Sequence, residues 1–340
     1  MKLAMDVASA DHPLEVILEG CVSAVKKIDS VHLIAVGDGR RIEKKLAGMK
    51  YDRSRISIAH ADAVITMDES PATAVKEKKN ASVLIANRLV AQGNADGCWS
   101  PGNTGASLAA ALLELGRLQG VFRPAIIVPI PQIQRGRNCA FLDLGANADC
   151  TADYLVQFAV MGEVIAKYAW GIENPRIALL NIGEEDSKGN MFYKEVYAKL
   201  KALPFNFIGN IEPDAIFFDR ADVVVADGFT GNIALKAYEG IGKYVFRMIR
   251  DGVKRSPGAM IGALLMGGVF KDIKRKMSSD AYGGAPLIGV NGYSFIGHGS
   301  TNASGVLGAV QSIMQFITSN ANMHIVDTMQ RYGCAKGGAV

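Results

Sequence analysis

An α/β fold, an α/β/α sandwich on a mostly parallel sheet, is what this sequence predicts, and three observations predict it. Short apolar runs recur along the chain. Most end in a polar turn, often glycine-bearing, and are followed by a segment with helical spacing of apolar residues. Hydrophobic residues make up 49% of the 340, enough for a sizeable core.

In chain order, residues 2–7 read as a first strand, and the acidic turn at 6–13 leads into a helix over 14–25. A strand at 31–36 ends in Gly37-Asp38-Gly39 and gives way to a basic helix over 40–48. Residues 56–60 form another strand and 82–92 a helix; the short strand 97–99 feeds Ser100-Pro101-Gly102-Asn103-Thr104-Gly105, which opens a helix over 106–115. Residues 125–128 and 140–143 read as paired strands around the polar turn 132–137, the second running into Leu144-Gly145-Ala146-Asn147. A helix over 155–168, a strand at 176–180, the polar loop 181–190, another helix and a strand at 205–208 follow. Residues 223–226 then form a buried strand end, Asp227-Gly228-Phe229-Thr230-Gly231-Asn232 a tight glycine turn, and helical spacing resumes at Ile233. The C-terminal part holds glycine-rich stretches at 280–287 and at Gly297-His298-Gly299-Ser300.

The net charge of +4, from 37 basic and 33 acidic residues, is too weak to propose nucleic acid as a partner. Five scattered cysteines without a C-x-x-C pair argue for a reducing, cytoplasmic setting and against a zinc site; no metal is expected. Asp6 and Asp11 interrupt the start of the chain before any long apolar run, unlike a secretory signal. No run approaches the roughly 20 apolar residues of a membrane span, so a soluble or surface-bound protein is expected.

In such a fold, ligands collect at the carboxyl ends of the strands. The polar loops at 102–105, 145–147, 183–190 and 228–232 would converge there, and none matches the dinucleotide or P-loop fingerprints. At 227–232 the glycines permit close backbone approach, and Thr230 and Asn232 add donors beside a helix N-terminus, which suits phosphate; an ordinary capped βα turn is the alternative. His298, between glycines, could donate to an anion or shuttle a proton, or simply be solvated. Residues 256–270 carry no charge and include Met260, Ile261, Leu264, Leu265 and Phe270; four basic residues precede them (Arg247, Arg250, Lys254, Arg255) and four follow (Lys271, Lys274, Arg275, Lys276). That pattern fits an element lying in a membrane interface, or one buried in the core or a dimer contact.

Taken together, Met67-Asp68-Glu69-Ser70-Pro71-Ala72, Pro101-Gly102-Asn103-Thr104-Gly105-Ala106, Leu142-Asp143-Leu144-Gly145-Ala146-Asn147, Asn181-Ile182-Gly183-Glu184-Glu185, Lys188-Gly189-Asn190, Asp227 to Asn232, Tyr282-Gly283-Gly284-Ala285-Pro286-Leu287 and His298-Gly299-Ser300 closely resemble the bacterial PlsX-type phosphate acyltransferases. The motifs are collinear from about residue 3 to about residue 315. The resemblance implies a fold like that of the isocitrate and isopropylmalate dehydrogenases, over a single two-lobed domain at 1–331 with a membrane-docking insertion at about 247–277 and a flexible tail at 332–340. It implies transfer of a fatty acyl group from acyl carrier protein to inorganic phosphate for phospholipid synthesis, by a homodimer held peripherally at the membrane from the cytoplasmic side. It implies Lys188 and Asn232, then His298 and Asp227, as catalytic residues. Asn103, Thr104, Gly105, Thr230 and Gly231 would bind phosphate, and no cofactor is needed. The acidic carrier would meet a basic patch: Arg135 and Arg137, or the cluster around Arg250.

Two departures from the family pattern stand out. Asp6-Val7-Ala8-Ser9-Ala10-Asp11 lacks the usual glycine pair at Ser9 and Ala10, and Pro101 follows Trp99-Ser100 where the family commonly has alanine. The first motivates a second reading, a catalytically inactive membrane scaffold. A third is an NAD-dependent dehydrogenase on the related fold.

Overall fold

In a computed structural model the chain is described over residues 1–134, 136–277 and 283–335, without the side chains of 274–277. Arg135 and Tyr282, and the side chains of Lys274, Arg275 and Lys276, therefore lie outside the described residues.

The first half runs β1 (Lys2–Asp6), α1 (Leu14–Lys27), β2 (His32–Gly37), α2 (Gly39–Ala47), β3 (Ile56–His60), α3 (Pro71–Glu77), α4 (Ser82–Ala91), β4 (Gly97–Ser100) and α5 (Thr104–Glu114). There follow β5 (Ala125–Ile126), β6 (Val128–Pro131), β7 (Asn138–Leu142), α6 (Ala152–Val164), β8 (Ile177–Leu180), α7 (Met191–Lys201), β9 (Phe207–Ile211) and β10 (Val223–Val225). The chain continues through α8 (Gly228–Val253), α9 (Pro257–Leu265), α10 (Gly267–Met277), β11 (Ala285–Ile288), β12 (Ser294–Ile296), α11 (Ala303–Thr318) and α12 (Ala321–Arg331).

These strands form two sheets rather than one. The first has the order β3-β2-β1-β4-β12-β11-β5 and the second β6-β7-β10-β8-β9. Only β11 runs against its neighbours in the first sheet, and only β6 in the second. The central strands are apolar on both faces, as in β8 (IALL) and β10 (VVV), because helices cover both sides. The expected pairing of 125–128 with 140–143 is corrected: Val128–Pro131 forms the hairpin with β7, whereas Ala125–Ile126 joins β11 in the other sheet. Ile127, fully buried, is where the chain crosses between sheets.

Helix α8 also starts earlier than its spacing suggested. Asp227 caps it and Gly228 is its first residue, so 228–232 is a helical turn and not a glycine loop. The tail expected to be free from residue 332 is held as far as Ala335. The Tyr332 hydroxyl donates to Glu163 at 3.1 Å, and the Cys334 carbonyl accepts from Gln157 at 2.9 Å.

At Gly162 a helical glycine marks close packing. A Cβ on Gly162 of α6 would lie 2.5 Å from Val223 Cγ1 and 3.2 Å from Leu142 Cδ2, both in fully buried residues. Overpacking of this kind costs about 1–3 kcal/mol, against about 1 kcal/mol of helix propensity that alanine contributes. Gly162→Ala is therefore expected to lower stability by about 1 kcal/mol in urea denaturation, with an unchanged far-ultraviolet spectrum; a stabilised variant would contradict this packing.

Candidate functional site

The carboxyl ends of the strands carry two groups of polar residues, one per sheet. At the first sheet, Asp6 ends β1 fully buried. Its Oδ2 accepts from Ser9 Oγ at 2.6 Å and Ser100 Oγ at 2.7 Å, its Oδ1 accepts from the Ala8 amide at 3.1 Å, and Ser9 Oγ lies 3.1 Å from Ser82 Oγ. Burial pushes the Asp6 carboxyl up from its ordinary range, and these hydrogen bonds oppose the shift. No residue between Val7 and Ala10 has a positive φ, so this turn forms without the glycine pair usual in the family. The hydroxyl of Ser9 is instead a structural bond to Asp6. Gly102 sits directly on it: a Cβ there would lie 2.8 Å from Ser9 Cβ.

Asn103 caps α5, accepting from the Ala106 amide at 3.1 Å, while its Nδ2 reaches the Met67 carbonyl at 3.2 Å and the Glu69 carbonyl at 3.3 Å. Both ends of this side chain are thus engaged within the protein. The next two amides, Thr104 and Gly105, have no acceptor among the described residues. Beside them, Lys78 and the Thr66 amide hold the Glu69 carboxyl down at about 2.

His298 follows β12 and is exposed. Its Nδ1 accepts the Ser300 amide at 3.2 Å, so in the neutral ring the proton is on Nε2, which is free to donate outward. The Asp11 amide donates to the Gly299 carbonyl at 2.9 Å, joining the His298 loop to the Asp6 turn.

At the second sheet, Asp227 Oδ2 accepts from Tyr193 OH at 2.6 Å and Thr230 Oγ1 at 2.8 Å, and its Oδ1 accepts from the Thr230 amide at 2.8 Å. Burial and the Asp227 carboxylate push the Tyr193 phenol up. The Gly228 amide donates to the Asn147 carbonyl and the Gly231 amide to the Asp227 carbonyl. The expected phosphate cradle at Thr230 and Gly231 therefore has no free amide at either residue, because Asp227 and the helix take both. Phe229 keeps the remaining amide of that first turn.

Asn232 lies over Gly145, where a Cβ would come within 3.3 Å of Asn232 Nδ2; Gly145 has φ +102°. Lys188 is half exposed, with Glu185 at 3.4 Å as its ion-pair partner. It sits two residues before Asn190, the cap of α7, and α7 carries the Tyr193 that bonds Asp227. Lys188, Asp227 and Asn232 thus belong to the second sheet's edge, and Asn103, Thr104, Gly105 and His298 to the first.

Asp143 links the two. Fully buried, it accepts from Ile126 N at 2.9 Å in β5 of the first sheet, from Ala146 N at 3.3 Å, and from Asn147 N and Nδ2 at 2.7 and 2.9 Å. Burial pushes its carboxyl up, while the donors pull the other way. Every one of the four is an N–H, so the geometry serves the ionised form. In the sequence Asp143 stands within the motif Leu142 to Asn147, where nothing local shows that its donors come from two sheets. Among the described residues no cluster of His, Cys, Asp or Glu is placed to hold a metal ion.

The model of a family described as fatty acid synthesis protein matches residues 1–324. The chain belongs to that family. A protein of Brachyspira hyodysenteriae named phosphate acyltransferase is 50% identical to it over 99% of each chain. In fold it is similar to a phosphotransacetylase from Streptococcus pyogenes, with TM-score 0.63, 17% identity and 94% of each chain covered. A Salmonella typhimurium chain assigned as a 4-hydroxythreonine-4-phosphate dehydrogenase gives TM-score 0.50 at 13% identity, covering 92% of this chain and 98% of the other. The α/β sandwich expected from sequence is thereby shared with acyltransferase and dehydrogenase folds alike.

Asp143→Asn places an amide N–H against N–H donors that cannot reverse. A loss of about 2–4 kcal/mol is expected in denaturation experiments, consistent with removing a buried, fully paired carboxylate. Unchanged stability would show that the other contacts between the sheets, such as Leu144 N to the Ile126 carbonyl and Asn147 Nδ2 to the Pro124 carbonyl, suffice without the carboxylate.

Proposed function

We propose that this protein transfers an acyl group from the thioester of acyl carrier protein to inorganic phosphate. The observation that carries the reading is the match to the family over residues 1–324, taken with donors at the carboxyl ends of both sheets: the Thr104 and Gly105 amides and His298 Nε2, which have no acceptor among the described residues, and the half-exposed Lys188, paired with Glu185. Phosphate is the nucleophile. One of its oxygens forms a bond to the thioester carbonyl carbon, the carbonyl oxygen takes up negative charge, and collapse breaks the C–S bond. The products are acyl phosphate and a thiol, whose thiolate takes the proton that phosphate gives up; with a thiol pKa of about 8.5 it is an adequate leaving group.

What the chain must supply is anion binding, orientation and charge stabilisation. Lys188 and the Thr104 and Gly105 amides hold phosphate, with Asn103 fixing the helix start that presents them. The Asn232 amide donates to the developing oxyanion. Asp227 orients the α8 turn that carries Asn232, and His298 donates from Nε2 to the second anionic oxygen.

The membrane and a second copy of the chain are the further partners. Among the described residues no helix is long and apolar enough to cross a membrane. Helix α9 has no buried residue, with Leu264 82% and Leu265 83% exposed, which speaks against a core role within one chain and for an interfacial one. Phe270 is half-buried on α10. On α8 the exposed Ile241, Tyr244, Val245 and Met248 form a stripe at helical spacing that suits a partner copy.

Lys188→Ala and Asn232→Ala are each expected to lower kcat for phosphate-dependent thiol release from acyl carrier protein by about 10²–10³-fold, the size found when one oxyanion donor is deleted. Full rate in both would reject these assignments. Replacing Leu264 and Leu265 with Glu should abolish binding to anionic vesicles, since each buried leucine is worth about 1.5–3 kcal/mol, with turnover of soluble substrate retained. Loss of the dimer instead would make α9 a subunit contact.

A further inference from the structure

The acyltransferase reading calls for a surface that receives an acidic carrier, and topology discriminates among the basic clusters. Arg137 precedes β7, which runs away from it toward Asp143, so it lies roughly 20 Å from the site at the rise of a strand. Arg250 lies roughly 33 Å along α8 from Gly228, and it shares Asp251 with Arg247. Both are remote from the reacting groups.

Helix α2 is placed differently. Asp38 caps it, accepting from the Arg40 and Arg41 amides, so the helix begins at the same edge of the first sheet as Asp6 and Ser100. Gly37, at the end of β2, abuts the Asp6 turn: a Cβ there would lie 3.2 Å from Ala8 Cβ. From β2 to β12, which presents His298, there are three strand spacings, roughly 14 Å. Inward, α2 buries Ile42 and Leu46; outward, Arg40, Arg41, Lys44 and Lys45 are exposed. Lys45 pairs with Glu15, whose carboxyl also feels Arg41. Arg40 and Lys44 have no ion-pair partner among the described residues, Asp38 is engaged as the cap, and Glu43 is the one carboxylate on the helix.

We propose that the exposed basic face of α2, carried by Arg40, Arg41 and Lys44, is the docking surface for the acidic carrier protein that delivers the acyl thioester. The proposal rests on the acyltransferase reading for the identity of the partner. Charge complementarity at the rim of a site raises the encounter rate and orients the incoming protein, and it weakens as salt rises. The same face is unsuited to lipid, because both apolar residues of α2 that could enter a bilayer are in the core, whereas α9 exposes Leu264 and Leu265.

The test is the triple variant Arg40→Glu, Arg41→Glu, Lys44→Glu in the full chain, compared with wild type in three measurements. These are binding of acyl carrier protein at low salt, turnover of the carrier-bound acyl thioester, and turnover of a small acyl-pantetheine thioester. The expected result is a rise of at least tenfold in the carrier's Kd and KM, kcat unchanged, a flatter salt dependence of kcat/KM, and unchanged turnover of the small thioester, which also reports an intact fold. Unchanged carrier binding would overturn the proposal, as would equal loss with both thioesters, or loss of anionic-vesicle binding with carrier kinetics intact. If wild type released no thiol from either thioester in the presence of phosphate, the acyltransferase reading would fail, and the comparison of carrier Kd values would still decide the docking surface.

Discussion

The structure depends on one buried carboxylate. Asp143 gathers N–H groups from β5 of the first sheet and from the 143–147 loop of the second, and the Leu144 amide and Asn147 Nδ2 add bonds across to the Ile126 and Pro124 carbonyls. An anion with fixed donors on both sides of a sheet boundary is costly to move, because each unpaired N–H would be left without water. Its position in turn seats α8. A Cβ on Gly228 would come 2.6 Å from Asp143 Oδ2, and one on Gly231 would strike the Asp143 carbonyl. The first turn of α8, and with it Asn232, is thus held against the same loop that joins the sheets.

Cap identity then separates two helix starts that look alike in sequence. Both α5 and α8 open with a polar residue, a threonine and glycines at the end of a parallel strand. At α8 the cap is an aspartate, which brings its own negative charge and takes the Thr230 amide and hydroxyl. At α5 the cap is a neutral asparagine, whose amide is tied to the Met67 and Glu69 carbonyls and which leaves Thr104 and Gly105 open. An incoming anion is therefore better served at α5, and Asp227 is better suited to orienting its surroundings through Tyr193 and Thr230.

Helix α8 also sets a distance. At about 39 Å in length it carries the chain from the carboxyl edge of the second sheet to the apolar helices α9 and α10, so surface contacts made there are distant from the polar groups at that edge. Basic residues divide accordingly. Those near α9 accompany exposed leucines, and those on α2 accompany none.

The order and type of most elements were legible in the sequence, because hydrophobic period and turn residues are local signals: β1, β2, β3, α2 and α4 fall within a residue or two of expectation. The motif residues could be identified as a set through their collinear resemblance to a known family. Tertiary structure alone decided how strands were shared between sheets. Ala125–Ile126 and Val128–Pro131 are almost contiguous, yet they pair with β11 and β7 respectively, and such non-local pairing leaves no periodic trace. It alone decided that Gly228 and Gly231 are helical, since glycine here answers to the nearness of Asp143 and Asn147 and not to a turn. Which amides remain free for a substrate follows from those contacts, and contacts between distant segments are what one chain read in order does not contain.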